Sequence, residues 1–180
     1  MTESIQPTSE ELEHGAKYGF RIAMRRGEHS SGEIWREPDE VGWRYCSSPT
    51  RPAFSRGNPF RKSDTVFFDS EGSPVLVVRR LRFSPPTFEM VEQGATVGRI
   101  TLRSILRNRY RIEIAPDQDW DFRMPLFSSA FFGVATSGAR VFARVATNLS
   151  QWLVLAGPSA DHARLVFALA FIHNRAWNSG

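Results

Sequence analysis

Short apolar runs separated by turn residues fill the sequence from Asp64 onward. The runs are rich in Val, Ile, Phe, Tyr and Trp, and the segments between them contain Gly, Pro, Asn, Asp or Ser. This pattern is typical of an antiparallel β-meander. The predicted strands are TVFFD, PVLVVRRLRF, TFEMVE, TVGRITLRS, RYRIEIA, DWDFRMP, AFFGVAT, ARVFARVAT and QWLVLAG.

Further candidate strands precede this region, between Tyr18 and Cys46. They read GFRIAMR, EIWRE and GWRYCSS, and they bring the predicted total to about twelve. Ser137 and Gly138 lie between two apolar runs, which predicts a tight hairpin at that point. No repeat of fixed period is visible in the sequence, so a propeller or a solenoid is disfavoured.

The last segment follows a helical pattern. Ala, Leu and Phe dominate it, no polar side chain lies between Leu165 and Ile172, and Arg175 is placed where a cation interacts favourably with the helix dipole. The sequence predicts a helix of about four turns. Its apolar part spans only ~12 Å, against ~30 Å of bilayer hydrocarbon, and Arg164 and His173 bracket it. A transmembrane helix is therefore not expected.

A helix that is apolar on every side must be surrounded by protein. A closed sheet could enclose it, and closure would also remove the exposed edge strands of a long meander. The sequence therefore predicts a mainly β fold, a closed antiparallel barrel of about twelve strands around a hydrophobic C-terminal α-helix. Residues 17–180 would form this single domain, with a disordered acidic tail at 1–16 and a Pro/Arg-rich loop at about 48–64.

The order of elements has a counterpart in a known family. The meander contains DSEGSPVLVVRR at 69–80 and a hairpin with VGRI at 97–100, and it ends in the apolar helix. Over about residues 18–178 this order resembles the tubby-like superfamily and, within it, the phospholipid scramblase and LURP-one-related branch. The resemblance implies a twelve-stranded barrel wrapped around its helix.

Some features of the animal scramblase-like proteins have no match in this sequence. Their cysteine cluster is represented by Cys46 alone, and the segment AGPSADHAR before the last helix contains only Asp161 as an acid. These departures disfavour calcium-triggered scrambling. Tubby proteins bind phosphoinositides through basic residues two apart on a strand, and the resemblance matches that spacing to Arg80 and Arg82.

Strand alternation predicts a cluster of outward-facing arginines in TVGRITLRSILRNRYRIEI. One face of the two strands holds Gly98, Ile100, Leu102, Tyr110, Ile112 and Ile114, and the other holds Arg99, Thr101, Arg103, Arg107, Arg109 and Arg111. Like charges opposite one another destabilise a sheet by up to ~1 kcal/mol per pair, and Arg suits bidentate contact with phosphate. Together with the pair that the resemblance supplies, the candidate anion- or lipid-binding residues are Arg80, Arg82, Arg103, Arg107, Arg109 and Arg111.

The charge balance allows several partners. A formal net charge of +4 permits attraction to acidic lipid headgroups or to nucleic acid. Nucleic acid is disfavoured because stacking aromatics would have to share the arginine face, whereas Tyr110 points the other way. A solvated exterior without any ligand explains the same pattern if Glu89 offsets Arg99 and Glu113 offsets Arg111.

No catalytic or metal-binding motif is found. DQDWD at 117–121 fails as an EF-hand loop, since Phe122 and Ser128 occupy the positions that require Gly and Glu. We predict instead a turn that leads into a strand with Trp120, Phe122 and Met124 facing the core. A metal-spaced His pair, a nucleophile elbow and a Gly-rich phosphate loop are missing, so we expect no metal, no cofactor and no enzymatic activity.

Arg79 and Cys46 need separate interpretation. Alternation places Arg79 on the same side as Val77 and Leu81, so either a bulge reverses the register or Arg79 reaches the barrel end. Cys46 is the only cysteine, which excludes an internal disulfide within this sequence. We interpret it as a small, half-buried strand residue and not as a nucleophile.

The leading functional hypothesis is a non-enzymatic barrel that binds anionic phospholipid or an acidic protein partner through its outer arginines. Phospholipid translocation of the scramblase type, which the resemblance implies, is an alternative. A barrel that holds a small apolar ligand is a second alternative. The segment MTESIQPTSEELEHG lacks the pattern of a secretory signal, so we expect a cytoplasmic protein, with peripheral membrane association under the leading hypothesis.

Overall fold

A computed structural model of the chain describes residue 9 and residues 16–26, 29–36, 40–47, 64–104, 109–114, 118–123, 130–135, 140–145, 151–156 and 162–178. Within these residues the fold is mainly β and ends in a helix. The elements are β1 (Ala16–Arg26), β2 (His29–Arg36), β3 (Glu40–Ser47), β4 (Thr65–Asp69), β5 (Pro74–Arg82), β6 (Thr87–Glu92), β7 (Ala95–Ser104), β8 (Arg109–Ile114), β9 (Gln118–Arg123), β10 (Ala130–Ala135), β11 (Arg140–Val145), β12 (Gln151–Ala156) and α1 (His162–Asn178). The predicted acidic tail and the Pro/Arg-rich loop lie outside the described residues, except at positions 9, 16 and 64.

The sheet is antiparallel, and each strand pairs with its neighbour in sequence. β1 also pairs with β12, from Ala16 opposite Ala156 to Arg21 opposite Gln151. The strand order is therefore β1-β12-β11-β10-β9-β8-β7-β6-β5-β4-β3-β2. The predicted antiparallel meander and its C-terminal helix are confirmed. The hairpin predicted at 137–138 falls between β10 and β11 but lies outside the described residues.

The turns follow the local chemistry of the sequence. After β4, the Asp69 carboxylate accepts hydrogen bonds from two backbone N–H groups of the turn, at 3.0 and 2.8 Å, and Gly72 has a φ of +87°. Between β6 and β7, Gln93 and Gly94 have φ angles of 50° and 83°. Two successive positive φ angles match the twist of a hairpin, which is why a two-residue turn containing Gly connects these strands.

Alternate strand residues form the inner face of the sheet. In β8 the buried residues are Tyr110, Ile112 and Ile114. The residues between them are only partly covered. In β7, Gly98 and Ile100 are buried while Arg99 is exposed. Trp120 and Phe122 of β9 are buried, as predicted, and Met124 lies outside the described residues. The inner and outer faces of these strands are therefore those that alternation predicts.

Helix α1 packs against the inner face and supplies the centre of the core. All residues from Leu165 to Ile172 are buried. The Phe167 ring lies 5.2 Å from the Trp43 ring and 4.7 Å from the Phe67 ring, centroid to centroid. Each large apolar side chain buried in this way contributes about 1.5–3 kcal/mol to folding. The expectation that this apolar segment is buried is confirmed.

The amino-terminal end of α1 is tied to the sheet by an ion pair. Arg164 donates to Glu92 Oε2 from Nη2 at 2.7 Å and from Nε at 3.0 Å. Glu92 is the last residue of β6, so the start of the helix lies at that end of the sheet. No described helix has both the length and the apolar character that crossing a membrane requires.

Arg79 lies on the same side of β5 as Val77, as alternation predicts, but this is the outer side of the strand, and the register shift of β5 against β6 falls beyond Arg79, between Arg80 and Arg82. In β5, Leu76 and Val78 are buried, whereas Val77 is half-buried and Arg79 is exposed. The run PVLVV is apolar at every position, so it offers no alternation from which a face could be chosen. Cys46 also differs from expectation, because it lies in β3 as predicted but is exposed.

Candidate anion-binding site

The outer face of the sheet has a surface pocket of about 220 Å³ where β5, β6, β7 and β8 run side by side. Its cationic lining is Arg82, Arg99, Arg103 and Arg111, and we call this site the arginine pocket. Leu81, Pro85, Thr87, Thr101 and Glu113 complete the wall. Four arginines and one glutamate give the lining a formal net charge of +3.

The strand register brings these side chains together. Arg99, Thr101 and Arg103 alternate along the outer face of β7. Thr101 lies opposite Thr87 of β6 on one side and opposite Arg111 of β8 on the other. Because cross-strand partners on one face are about 4.5–5.5 Å apart at Cβ, the residues of three strands converge on one small area.

The wall formed by the β5–β6 turn is fixed by hydrogen bonds. The Thr87 hydroxyl donates to the Pro85 carbonyl at 2.9 Å. The backbone N–H of Leu102 donates to the Pro86 carbonyl, also at 2.9 Å. These bonds tie the turn to the start of β6 and to β7. The position of this wall relative to β6 and β7 is therefore set by the backbone and the Thr87 hydroxyl.

Arg111 is already neutralised by carboxylates. It forms an ion pair with Asp119 of β9, and its Nε lies 3.3 Å from Glu113 Oε1. The hydrogen bond and the charge of Asp119 raise the pKa of Arg111 above its ordinary value, with Glu113 adding to the effect. The prediction that Glu113 offsets Arg111 is confirmed.

The other three arginines of the pocket have no carboxylate partner in the part of the chain that the structure describes. Within the described residues, Arg82, Arg99 and Arg103 form no ion pair and no side-chain hydrogen bond. Three uncompensated guanidinium groups around one small concavity repel one another, and a bound anion would relieve that repulsion. The arrangement is suited to bidentate contact with phosphate or carboxylate oxygens.

The predicted pairing of Glu89 with Arg99 was wrong. The two residues are opposite in the β6–β7 register, but Glu89 Oε1 accepts from Arg79 Nε at 2.5 Å. Its other oxygen accepts from the Thr96 hydroxyl at 3.4 Å. Arg79 on β5 therefore takes the carboxylate that the sequence assigned to Arg99, which leaves Arg99 available to a ligand.

Arg80 and Arg82 do not form the paired site that the resemblance implied. The β5–β6 register shifts between them, so that Arg80 lies opposite Phe88 and Arg82 lies opposite Thr87. The Arg80 guanidinium carbon lies 5.5 Å from the centroid of the Phe88 ring, on the inner side of the sheet. Burial lowers the pKa of Arg80 below its ordinary value. Of Arg80 and Arg82, only Arg82 lines the arginine pocket.

Of the remaining predicted site residues, two line the arginine pocket and one lies outside it. Arg103 and Arg111 line the pocket, whereas Arg109 lies on the same outer face, opposite Arg123 of β9, and does not contribute to the lining. Arg107 lies outside the described residues. Arg99, Thr87, Leu81 and Pro85 also line the pocket, although they are not among the binding residues predicted from the sequence. Cross-strand register brings them into the pocket, and no local sequence signal specifies that register.

Comparison of the chain with protein-family models, with curated proteins and with solved structures finds no match. Among the described residues, no group of three or more His, Cys, Asp or Glu side chains is arranged to hold a metal ion. The chemistry that the arginine pocket itself offers is the recognition of an anion.

Proposed function

We propose that this chain is a tubby-like β-barrel that associates peripherally with membranes by binding anionic phospholipid in the arginine pocket. The observation that carries the proposal is the convergence of Arg82, Arg99 and Arg103, which have no carboxylate partner among the described residues, on one pocket whose β5–β6 wall is held by hydrogen bonds.

Two structural features support the barrel part of this proposal. The pairing of β1 with β12 makes the first and last strands neighbours, as closure of a sheet requires. The buried segment from Leu165 to Ile172 packs against the inner aromatics, as expected of a helix enclosed by strands. Both agree with the architecture that the tubby-like resemblance implies.

The size of the pocket supports a headgroup as the ligand. Pockets that enclose whole drug-sized molecules have volumes of about 300–1,000 Å³. The arginine pocket, at about 220 Å³, is smaller and lies on the outer face. It is therefore suited to a phosphate-bearing headgroup whose lipid tails remain in the bilayer, and not to a complete lipid or a soluble cofactor.

Vesicle flotation tests the proposal. Wild type should float with vesicles containing phosphatidylserine or phosphatidic acid and not with phosphatidylcholine vesicles, and binding should weaken as salt is raised. Each arginine near an anionic surface contributes about 1 kcal/mol, so the double variant Arg82→Gln/Arg99→Gln should bind roughly thirtyfold more weakly.

Arg79→Gln is the matched control. Arg79 lies on the same outer face of β5 but is paired with Glu89 and does not line the pocket. Its loss should change vesicle affinity much less than loss of Arg82. Equal effects of the two substitutions would remove the pocket from the proposal. Failure of wild type to distinguish anionic from neutral vesicles would remove phospholipid as the ligand.

A further inference from the structure

Two large apolar side chains are exposed beside the arginine pocket. Leu81 is 40% exposed and Phe83 is 52% exposed, and they are the exposed large hydrophobic residues of the described part of the chain. Leu81 lines the pocket, and Phe83 follows at the start of the β5–β6 turn. Contiguous exposed apolar surface that is rimmed by polar residues is a mark of interaction sites.

The turn that carries Phe83 is held in place. The guanidinium carbon of Arg80 lies 4.6 Å from the centroid of the Phe83 ring. Pro85 and Pro86 follow, and their carbonyls accept the hydrogen bonds from Thr87 and Leu102. Phe83 is therefore exposed on a restrained turn at the end of the sheet, where its ring lies next to the guanidinium of Arg80. A preorganised apolar contact loses little conformational entropy on binding.

The charges are polarised along the strands. The β5–β6 turn lies at the end of the sheet where β7 ends and β8 begins, and Arg82, Arg103 and Arg109 lie near that end. The opposite end carries Asp69 at the end of β4 and Glu71 in the β4–β5 turn, while the charge of Glu92 there is paired with Arg164. A negatively charged surface would therefore attract the end that displays Phe83 and repel the other.

We infer that the β5–β6 turn is a membrane-docking element: Leu81 and Phe83 enter the boundary between headgroups and acyl chains of an anionic bilayer while Arg82 and Arg103 contact lipid phosphates. The inference rests on the proposed function and adds to it the depth and orientation of binding. Apolar insertion beside basic side chains is the combination by which peripheral proteins bind membrane surfaces.

An environment-sensitive fluorophore at the turn tests this orientation. In a Cys46→Ser background, Ser84→Cys labelled with NBD should brighten on addition of phosphatidylserine-containing vesicles and become protected from aqueous dithionite. Glu71→Cys, labelled in the same way at the opposite end of the sheet, should remain accessible to dithionite. Equal accessibility of the two labels on bound protein would overturn the inference.

Substitution of Phe83 separates insertion from charge attraction. Phe83→Ser should weaken binding to anionic vesicles about tenfold, as expected when a large apolar side chain no longer leaves water. The salt dependence should be unchanged, because no charge is altered. Phe83→Leu keeps an apolar side chain and should retain most of the affinity. All variants alter exposed positions, and circular dichroism should show unchanged folding.

The two proposals fail in different ways. If wild type binds anionic vesicles, the double arginine variant does not, and Phe83→Ser binds like wild type, the docking element is wrong while lipid binding through the arginine pocket stands. If wild type binds no anionic vesicle, both are wrong. If Phe83→Ser and Phe83→Leu weaken binding equally, apolar insertion is not the role of this residue.

Discussion

The inner and outer faces of β7 and β8 are made by the same strands but are organised by different forces. On the inner face, Ile100 and Ile112 are at most 1% exposed and pack in the core. On the outer face, Arg99 is exposed and has no carboxylate partner within the described residues, while Arg111 is paired with Asp119 and Glu113. Successive residues of one strand therefore face the core and the exposed outer surface in turn.

The two faces contribute very different free energies to folding. Burial of a large apolar side chain contributes about 1.5–3 kcal/mol. An exposed ion pair contributes about 0–1 kcal/mol. Changes on the inner face should therefore alter the free energy of unfolding, and changes on the outer face should alter ligand binding with little effect on stability.

The largest effect is expected for Phe167→Ala. The ring packs between Trp43 and Phe67, so its removal leaves a cavity beside the helix and should lower the free energy of unfolding by about 3–5 kcal/mol. Urea denaturation followed by circular dichroism measures the change. Phe83→Ala is the control, since Phe83 is half exposed, and it should cost far less. Similar losses for the two variants would contradict a core built around α1.

An intermediate effect is expected for Gly98→Ala. A Cβ at this position would lie 2.8 Å from the Glu113 backbone carbonyl oxygen and 3.1 Å from Met90 Sδ. The carbonyl cannot move without distorting the β7–β8 ladder, so we expect a loss of about 1–3 kcal/mol in thermal or urea unfolding. Gly42→Ala is the matched control, because the nearest atom to its Cβ is 3.9 Å away. Equal stability of the two variants would show that close packing at Gly98 does not matter.

The smallest effect on stability is expected for Asp119→Asn. It removes the carboxylate that binds Arg111, a side chain that is one-third exposed, so the free energy of unfolding should fall by less than about 1 kcal/mol. Binding to anionic vesicles should instead become tighter, because Arg111 is released toward the pocket. Asp121→Asn is the matched control, because it removes the same charge but breaks no ion pair of Arg111 within the described residues. It should increase vesicle affinity less than Asp119→Asn does. Weaker vesicle binding by Asp119→Asn would contradict this role for Arg111.

Much of the strand arrangement could be predicted because polar and apolar residues alternate. In RYRIEI every second residue is apolar, and burial follows that alternation. The terminal helix was equally clear, since a stretch apolar on all sides has to be covered. The face of β5 could not be predicted, because PVLVV is apolar throughout and both faces fit the sequence equally well.

The candidate site could be predicted only in part. Alternation identified the outward arginines of β7 and β8, but which carboxylate each one meets depends on register and rotamer. Glu89 is the cross-strand neighbour of both Arg79 and Arg99, and the structure shows that its carboxylate binds Arg79. The register shift that separates Arg80 from Arg82 likewise depends on pairing with β6, and the sequence of β5 alone does not indicate it.

Helix α1 follows all the strands in the sequence, so the ribosome synthesises it after the strands that it contacts. The rings of Phe67 and Phe88 pack against Phe167 and Phe171, which are synthesised about eighty or more residues later. Until then these aromatics lack their partner, and an incomplete sheet exposes apolar surface on which nascent chains associate. The inner face of the sheet is therefore complete only after α1 has been synthesised and has packed against these rings.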